Sequence, residues 1–342
     1  MDIAGMRKKA NRMRWCLAHR RTDNGHRRYE EDEDLLQMHD DFASDEAKLL
    51  SSKAWRALRD KTQVFTFPDT LTRSRQAHVS EVVATSVVAA DLMGLNTNLV
   101  RAAALGHDIG HVPFGHQGES WMKKAMGRPE FCHEVMGPII AQKIERRGKG
   151  LNLTWHTLDA MMRHSGNTAS DSMSQEAWVL RYADKMTYLF HDWNDIVGRA
   201  KYPVSDELRS LVNEFGCTQR ERTTTAVAGM IIESAEKGRV SFKDSEAGQK
   251  FDRLRGLMYE IYPRVTQQNV SDALGKVLEF LEMIKVGDPW LLMALMTDDD
   301  VRCIANETMK DMRKFNCTAV SEIVPHLDAI GKIDLCDPGL NW

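Results

Sequence analysis

The chain has 342 residues, with 46 lysines and arginines against 49 aspartates and glutamates, so its formal net charge is −3. A near-neutral total gives no overall field that attracts nucleic acid or a membrane surface, and no run of about 18 apolar residues is available to span a bilayer. The content of 42% hydrophobic and 28% charged residues is typical of a globular protein and excludes wholesale disorder.

The cysteines and the first residues bear on cellular location. Six cysteines, at positions 16, 132, 217, 303, 317 and 336, are scattered and form no Cys-x-x-Cys pair. This pattern favours reduced thiols over a disulfide framework or a cysteine zinc site. Residues 1–9 lack the apolar core of a signal peptide. We therefore expect a cytoplasmic protein with no membrane partner.

The first 46 residues carry two opposite blocks of charge. Residues 7–28 contain nine lysines and arginines and one acid, whereas residues 29–46 contain nine acids and no lysine or arginine. Such blocks are typical of a solvated arm. A basic arm also suits substrate phosphates, single-stranded DNA or an acidic patch on a neighbouring subunit. We expect residues 1–46 to form a charged N-terminal arm.

After residue 46, apolar residues recur at helical spacing almost throughout. The pattern predicts helices over 47–61, over 80–93 with a C-cap at Gly94, and over 98–106. Further helices are predicted near residues 116–127, 131–146, 154–164, 174–200, 205–214, 221–237, 246–261, 271–285 and 299–314. Two strand signals, at 63–67 and 239–242, are too short to build a sheet. The sequence predicts an all-α fold with a core over 47–200 and a helical C-terminal part over 201–342 packed on it.

Four residues combine imidazole and carboxylate chemistry: His78, His107, Asp108 and Asp184. A buried aspartate in the middle of a helix is costly without a partner, which applies to Asp184. Imidazole and carboxylate together suit a divalent ion such as manganese, iron, nickel or zinc. Adjacent helical residues point about 100° apart, so a His-Asp pair converges on one ion only at a helix end. The end of the predicted helix 98–106 provides that position.

A zinc protease is a competing interpretation because His107 and His111 lie four residues apart. Gly110 and Pro113 disfavour a regular helix through this pair, and position 108 is Asp where the protease motif has Glu. The spacing therefore does not support a protease.

At these residues the chain resembles the HD-domain phosphohydrolases, and more narrowly the bacterial dGTP triphosphohydrolases. The family's metal signature is a histidine, a His-Asp pair and a distant aspartate, which are matched by His78, His107-Asp108 and Asp184. The likeness extends to residues 55–65 (WRALRDKTQVF), 73–78 (RSRQAH) and 107–119 (HDIGHVPFGHQGE). It covers roughly residues 26–195, over half of the chain.

The resemblance implies an all-α HD-domain helical bundle with additional C-terminal helices. It implies a divalent metal ion, with manganese or magnesium first and iron, nickel, cobalt or zinc as alternatives. The reaction implied is hydrolysis of a dNTP, with dGTP first, to a deoxynucleoside and inorganic triphosphate. The resemblance also implies a homo-oligomer, as a dimer, tetramer or hexamer. The metal ligands would be His78, His107, Asp108 and Asp184.

Roles for further residues follow from the same resemblance. His116 is expected to transfer a proton, with Glu119 one turn later orienting its imidazole. His133 is expected as a further active-site histidine. A triphosphate needs fixed positive donors, and those expected are Arg75, His111 and Lys185. The residues expected at the deoxyribose are Gln63, Tyr188 and Asp192.

Two other functions stay open. The HD site also suits a nucleotidase or phosphodiesterase that acts on nucleoside monophosphates or cyclic nucleotides. A binding protein for single-stranded nucleic acid, with a regulatory metal site, is the third interpretation. The intact ligands and the His116 and Glu119 pair disfavour an inactive site. Three further histidines, His156, His164 and His191, are expected to be structural, although His164 is placed near the cleft.

Overall fold

The computed structural model describes residues 1–31, 39–65, 71–265, 270–306, 315–316 and 318–342. These residues form sixteen α-helices and no strand, and two isolated bridges join Arg27 to Thr154 and Thr62 to Ser74. The all-α prediction is confirmed. Within the described ranges, no helix combines the length and apolar character needed to cross a bilayer.

The helices of the first part are α1 (Ile3–Arg12), α2 (Asp41–Leu50), α3 (Lys53–Ala57), α4 (Arg75–Met93), α5 (Thr97–Gly106), α6 (Gly115–Met126), α7 (His133–Ile139), α8 (Trp155–Arg163) and α9 (Gln175–Trp193). Short π-helical segments continue α7 over Ile140–Ile144 and α9 over Asn194–Arg199. The later helices are α10 (Asp206–Phe215), α11 (Gln219–Lys237), α12 (Glu246–Val265), α13 (Ser271–Ile284), α14 (Pro289–Leu295), α15 (Asp298–Ala305) and α16 (Leu327–Ile330).

Helices α4, α5 and α9 pack against one another and position the predicted metal ligands. Helix α4 begins after Ser74, whose side chain accepts the Ala77 N–H at 3.3 Å. It ends at Gly94, which has a left-handed φ of 80° and confirms the predicted C-cap. Apolar residues on α4 and on both neighbouring helices are fully buried, so packing against these helices orients α4.

The predicted continuous helix over 47–61 is wrong. The chain forms α2 and α3 instead, separated at Ser52, whose Oγ accepts the Trp55 N–H at 3.1 Å. A serine that caps a new helix in this way competes with continuation of the previous one. Leu50, the last residue of α2, is 40% exposed.

Helix α1 places part of the charged arm against the body of the protein. It packs on α11, and both Ala10 and Leu17 are buried in a hydrophobic core. Lys9 Nζ also lies 2.9 Å from a Glu236 carboxylate oxygen. Residues 3–12 are therefore helical and docked through a few apolar side chains, while most side chains of residues 8–20 are exposed. Because α1 is rich in charged residues, the spacing of its apolar residues did not reveal the face that packs on α11.

Parts of three predictions fall outside the described residues. The acidic block includes residues 32–38, and the strand signal at 63–67 ends in residues 66–67. The helix predicted over 299–314 corresponds to α15 in its described part, and residues 307–314 lie outside.

A single buried carboxylate organises the loop after α11. Glu233 accepts hydrogen bonds from Ser241 Oγ at 2.6 Å and Ser245 Oγ at 2.5 Å, and from the N–H groups of Lys243 and Asp244 at 2.9 and 3.0 Å. Burial opposes the charged form of Glu233, but these donors lower its pKa from 4.5 to about 2. The loop therefore depends on a charged glutamate.

Glu233→Gln is expected to lower the free energy of unfolding by about 2 kcal/mol at neutral pH. Because the folded-state pKa lies below the ordinary value, the wild-type advantage is complete above about pH 4.5 and shrinks as the pH falls toward 2. Urea unfolding at neutral pH and at about pH 3 measures this difference. Glu236→Gln is the control, since that exposed side chain lies on the same helix and should cost under about 0.5 kcal/mol. Equal losses in the two variants would contradict the role given to Glu233.

Candidate active site

A cavity of about 450 Å³ opens beside α4, α6, α7, α9 and α12. This volume lies in the range of small-molecule sites, roughly 300–1,000 Å³. Eleven residues expected at the site line it: Gln63, Arg75, His78, Asp108, His111, His116, Glu119, His133, Asp184, Tyr188 and Asp192. Residues from segments that are far apart in the sequence thus line the same cavity.

The four predicted metal ligands lie close together, and three of them, His78, Asp108 and Asp184, line this cavity. His78 lies in the first turn of α4, His107 caps α5, and Asp184 lies in the middle of α9. His78 Nε2 is 3.0 Å from Asp184 Oδ1, and His107 Nε2 is 3.5 Å from Asp108 Oδ1 and 3.8 Å from Asp184 Oδ1. With metal–ligand bonds of about 2.1 Å, neighbouring donors around one ion lie roughly 3.0–3.5 Å apart. The spacing therefore suits a single divalent ion.

The hydrogen bonding of His107 also suits a residue that binds a metal ion. Its Nδ1 lies 2.6 Å from the Ala104 carbonyl, which can only accept, so the ring proton is on Nδ1. Its Nε2 is buried without a hydrogen-bond partner among the described residues. A metal-ligating imidazole is commonly oriented by such a hydrogen bond on its other nitrogen. The lone pair of His107 is thus placed to bind an ion.

Asp108 is held in its charged form by its surroundings. Arg75 Nη1 donates to Asp108 Oδ2 at 2.9 Å, and Arg75 Nη2 donates to the Gln63 carbonyl at 3.2 Å. Burial opposes the charge on Asp108, but His107, His111 and Arg75 hold its pKa well below the ordinary value. Arg75, which was expected to donate to phosphate, lines the cavity and also stabilises the charged form of Asp108.

Two glycines allow the loop between α5 and α6 to pass close to its neighbours. The loop is a series of turns, in agreement with the prediction from Gly110 and Pro113. A Cβ at Gly110 would lie 2.1 Å from the His133 carbonyl oxygen, and one at Gly115 would lie 2.2 Å from Arg75 Nη2. Gly115 also has a φ of +56°, which favours glycine.

Glu119 contacts a different histidine from the one expected. Its Oε2 accepts from His133 Nδ1 at 2.8 Å, and its Oε1 accepts from Lys123 Nζ at 2.7 Å. No hydrogen bond joins it to His116 in the described part of the chain, so the expected pairing is wrong. The spacing places His116 and Glu119 on one face of α6, but the carboxylate reaches across to the start of α7. Burial opposes the charge on Glu119, while His133 keeps its pKa far below the ordinary value.

Three histidines form a cluster beside the metal ligands. The rings of His111 and His133 are stacked, 3.7 Å apart and 14° from parallel, and the ring of His116 lies 5.3 Å from that of His133. Burial opposes the charged form of His133, but Glu134 and Glu119 raise its pKa. Desolvation inside the cavity, with the nearby His133 and Arg75, lowers the pKa of His116 to about 4. Within the cluster, the surroundings therefore favour positive charge on His133 over His116.

Tyrosine and aspartate side chains also line the cavity, and two of the tyrosines come from the C-terminal region. Tyr188 Oη lies 2.5 Å from Tyr259 Oη, and Tyr262 donates to Asp192 Oδ2 at 2.7 Å. Arg73 Nη2 donates to Asp192 Oδ1 at 2.5 Å. Sequence reasoning missed the two α12 tyrosines and Arg73. For Arg73 a signal was available, because it lies in the RSRQAH segment that precedes His78.

A buried aspartate of the C-terminal part joins the two segments that flank the site. Asp298, 1% exposed at the start of α15, accepts the Thr62 N–H at 3.0 Å and the Phe114 N–H at 2.7 Å. The Lys61 ammonium donates to the His111 carbonyl, and burial lowers the pKa of Lys61 to about 8. These contacts tie the Gln63 segment and the start of α6 to α15.

Lys185, expected as a phosphate donor, is not among the described residues that line the cavity. Its ammonium lies 6.0 Å from the centre of the Tyr182 ring. Burial, together with Arg181 and Arg255, lowers the pKa of Lys185 to about 7. Adjacent helical residues point about 100° apart, so the residue after Asp184 faces away from the ligand side of α9. Lys185 thus lies outside the lining of the cavity, and its role as a phosphate donor stays a prediction.

His164 was expected to be structural, yet it lies at the metal end of the site. The residue is 1% exposed, and its ring centroid is 4.9 Å from that of His107. His156 and His191 do not line the cavity described here.

The chain is similar to one protein-family model and to several individual proteins. A protein-family model described as the HD domain matches residues 75–189, a range that contains all four predicted metal ligands. A deoxyguanosinetriphosphate triphosphohydrolase-like protein of Caldanaerobacter subterraneus subsp. tengcongensis is 35% identical over 231 residues, 67% of each chain. One of Clostridium perfringens (strain SM101 / Type A) is 34% identical over 270 residues, 75% of this chain and 77% of the relative. One of Desulfatibacillum aliphaticivorans is 36% identical over 217 residues, 60% of this chain and 61% of the relative.

Proposed function

Because the chain belongs to the family of deoxyguanosinetriphosphate triphosphohydrolase-like proteins, we propose that it hydrolyses a deoxynucleoside triphosphate, with dGTP first, to a deoxynucleoside and inorganic triphosphate. One observation carries this proposal. Three of the four predicted metal ligands, a histidine cluster and a group of tyrosine and aspartate side chains line one cavity of about 450 Å³. These three sets of groups can, respectively, neutralise a phosphate through a bound metal ion, transfer a proton to the leaving oxygen and contact a sugar.

The anionic α-phosphate resists attack by water unless its charge is neutralised. When bound, a divalent ion supplies that neutralisation and lowers the pKa of a nearby water molecule. The two imidazoles and two carboxylates of His78, His107, Asp108 and Asp184 favour a transition ion such as manganese, and magnesium, iron, nickel, cobalt and zinc are the alternatives. In the proposed reaction the water oxygen bonds to the α-phosphorus, and the bond to the 5′ oxygen breaks.

The histidine cluster supplies proton transfer and positive charge. His116 keeps solvent-accessible surface inside the cavity, and we assign to it the proton exchange between the attacking water and the 5′ oxygen. His133, oriented by Glu119 at 2.8 Å, donates toward the phosphates. Arg75 and His111 complete the positive side of the cavity.

The group of tyrosine and aspartate side chains suits the deoxyribose. Asp192 lines the cavity with its two oxygens fixed by Arg73 and Tyr262 at 2.5 and 2.7 Å. A fixed carboxylate can accept a hydrogen bond from the 3′-hydroxyl, while the nearby Tyr188 ring packs against the sugar. Gln63, on the adjoining segment, is the second candidate for a sugar hydroxyl.

We propose a cytoplasmic homo-oligomer, as a dimer, tetramer or hexamer, with single-stranded DNA as a further ligand. Five described cysteines are free thiols, which supports a reducing compartment. Sedimentation of the purified chain, with and without single-stranded DNA, tests the assembly and the binding.

Product analysis tests the proposed reaction. The purified chain is incubated with each of the four dNTPs in manganese, in magnesium and in chelator. We expect inorganic triphosphate and the deoxynucleoside, with dGTP turned over fastest and no product in chelator. Release of orthophosphate from monophosphates, or opening of a cyclic nucleotide without triphosphate formation, would instead identify a nucleotidase or phosphodiesterase.

A further inference from the structure

The guanidinium of Arg73 is enclosed by three carboxylates just outside the cavity. Arg73 precedes α4 by two residues, its side chain is 12% exposed, and it is not among the described residues that line the cavity. Its Nη2 donates to Asp192 Oδ1 at 2.5 Å. Its Nε lies 3.7 Å from Glu81 Oε2, and its Nη1 lies 3.7 Å from Asp195 Oδ2. Arg73 therefore contacts a residue of the cavity from behind.

Of these three contacts, the one with Asp192 is the strongest. A separation of 3.7 Å is too long for a hydrogen bond, whereas 2.5 Å joins a charged donor to a charged acceptor directly. Burial opposes the charge on Arg73, but the nearby Asp192, Glu81 and Asp195 raise its pKa. Glu81 and Asp195 thus hold the guanidinium in place, and the guanidinium holds Asp192.

Asp192 keeps the capacity to accept from a ligand. Its side chain is fully buried yet lines the cavity, and its second oxygen accepts from Tyr262 at 2.7 Å. Each carboxylate oxygen has two lone pairs, so one donor on each leaves room for a further hydrogen bond. An ionised carboxylate only accepts, so that ligand must donate. In a dNTP the only sugar hydroxyl is the one on the 3′ carbon.

The same contacts fix Asp192 relative to the predicted metal ligands. Glu81 follows His78 by three residues on α4, and Asp192 follows Asp184 by eight residues on α9. Arg73 bridges Glu81 and Asp192, so it links the two helices that carry these ligands. A hydroxyl held by Asp192 is therefore placed at a set distance from the position of the ion.

We propose that Arg73 is a positioning residue that orients Asp192 toward the 3′-hydroxyl of the nucleotide, and that the site thereby selects free mononucleotides with that hydroxyl intact. A 2′,3′-dideoxynucleotide has no donor for Asp192, so a buried acceptor stays unpaired when it binds. A nucleotide whose 3′ oxygen is esterified, as at the 5′ end of a strand, also adds negative charge beside three carboxylates. The proposal rests on the nucleotide site of the proposed function but not on the reaction.

Binding in chelator tests this role without turnover. Calorimetry compares dGTP with 2′,3′-dideoxy-GTP and with a 5′-triphosphorylated deoxydinucleotide on the full chain. We expect the wild type to bind dGTP roughly 10–100-fold more tightly than dideoxy-GTP, as for a hydrogen bond to a charged group, and to bind the dinucleotide most weakly. In Arg73→Met and in Asp192→Asn the preference for dGTP over dideoxy-GTP should fall below about 5-fold.

Two further variants separate positioning from a structural link. Arg73→Lys keeps the charge and one donor, so it should recover part of the preference for dGTP. The control is Arg253→Met on α12, the helix that carries Tyr262. Arg253 is exposed and its Nε lies 2.7 Å from Glu207 Oε1, so its loss should leave the preference unchanged. Circular dichroism checks each fold; if Arg73→Met is unfolded, Arg73→Lys and Asp192→Asn carry the test.

Each outcome bears on a different statement. Equal binding of dGTP and dideoxy-GTP by the wild type, tight binding of the dinucleotide, or no binding of any of the three overturns the proposal. An equal loss of affinity for dGTP and dideoxy-GTP in folded Arg73 variants also overturns it, because a merely structural role weakens both. A preference for dGTP that depends on Arg73, found in a chain that hydrolyses no dNTP in manganese, supports the proposal and overturns the proposed reaction.

Discussion

Asp184→Asn is expected to remove the metal ion and to lower kcat/KM for dNTP hydrolysis by roughly 10³-fold or more. Asp184 Oδ1 lies 3.0 Å from His78 Nε2 and 3.8 Å from His107 Nε2. Its carboxylate is therefore close enough to bind the same ion as both histidines. Asparagine keeps the shape but removes the negative charge that a dication needs. Manganese content and the rate of triphosphate release measure the two effects together.

The matched control for Asp184→Asn is Asp91→Asn. Asp91 lies on α4, the helix that also carries His78, but it is exposed and 4.0 Å from Arg14. We expect this variant to retain wild-type metal content and turnover, because an exposed pair contributes little. Full turnover and full metal content in Asp184→Asn would show that the ligand set is misassigned.

Helices were predictable where burial follows the periodicity of one face. The end of helix α4 was predictable from a different signal, because Gly94 is the left-handed C-cap that was expected. The break at Ser52 was not predictable from apolar spacing, because it depends on a side chain that caps the next helix. Helix α14 was missed because its run PWLLMAL is apolar on all sides and has no helical period.

Within the site, the residues carried by local motifs were predictable and those brought by tertiary packing were not. His78, His107 and Asp108 lie in recognisable segments, and they meet as expected. Tyr262 and Asp298 are single residues in ordinary helices of the C-terminal part, and only the packing of α12 and α15 brings them to the site. Spacing on one helix shows which side chains share a face but not which partner lies opposite.

His116 and Glu119 are each expected to be needed for full activity. His116→Ala is expected to lower kcat by about 10²–10⁴-fold, as for loss of a general acid or base. Glu119→Gln is expected to lower kcat by roughly 10–100-fold, as for loss of a group that orients a functional imidazole. Since Glu119 accepts from His133 Nδ1 at 2.8 Å, its effect should act through His133. Circular dichroism confirms that each variant is folded before rates are compared.

A double-mutant cycle distinguishes the two histidine partners. In a His133→Ala background, Glu119→Gln should cause little further loss of kcat, because the imidazole that it orients is gone. In a His116→Ala background the two losses should multiply. Lys123→Met serves as the control, since Lys123 holds the other oxygen of Glu119 at 2.7 Å and is not needed to fix the imidazole. If instead Glu119→Gln loses its effect only in the His116→Ala background, the pairing predicted from spacing operates during turnover, and the contact between α6 and α7 is not the one that catalysis uses.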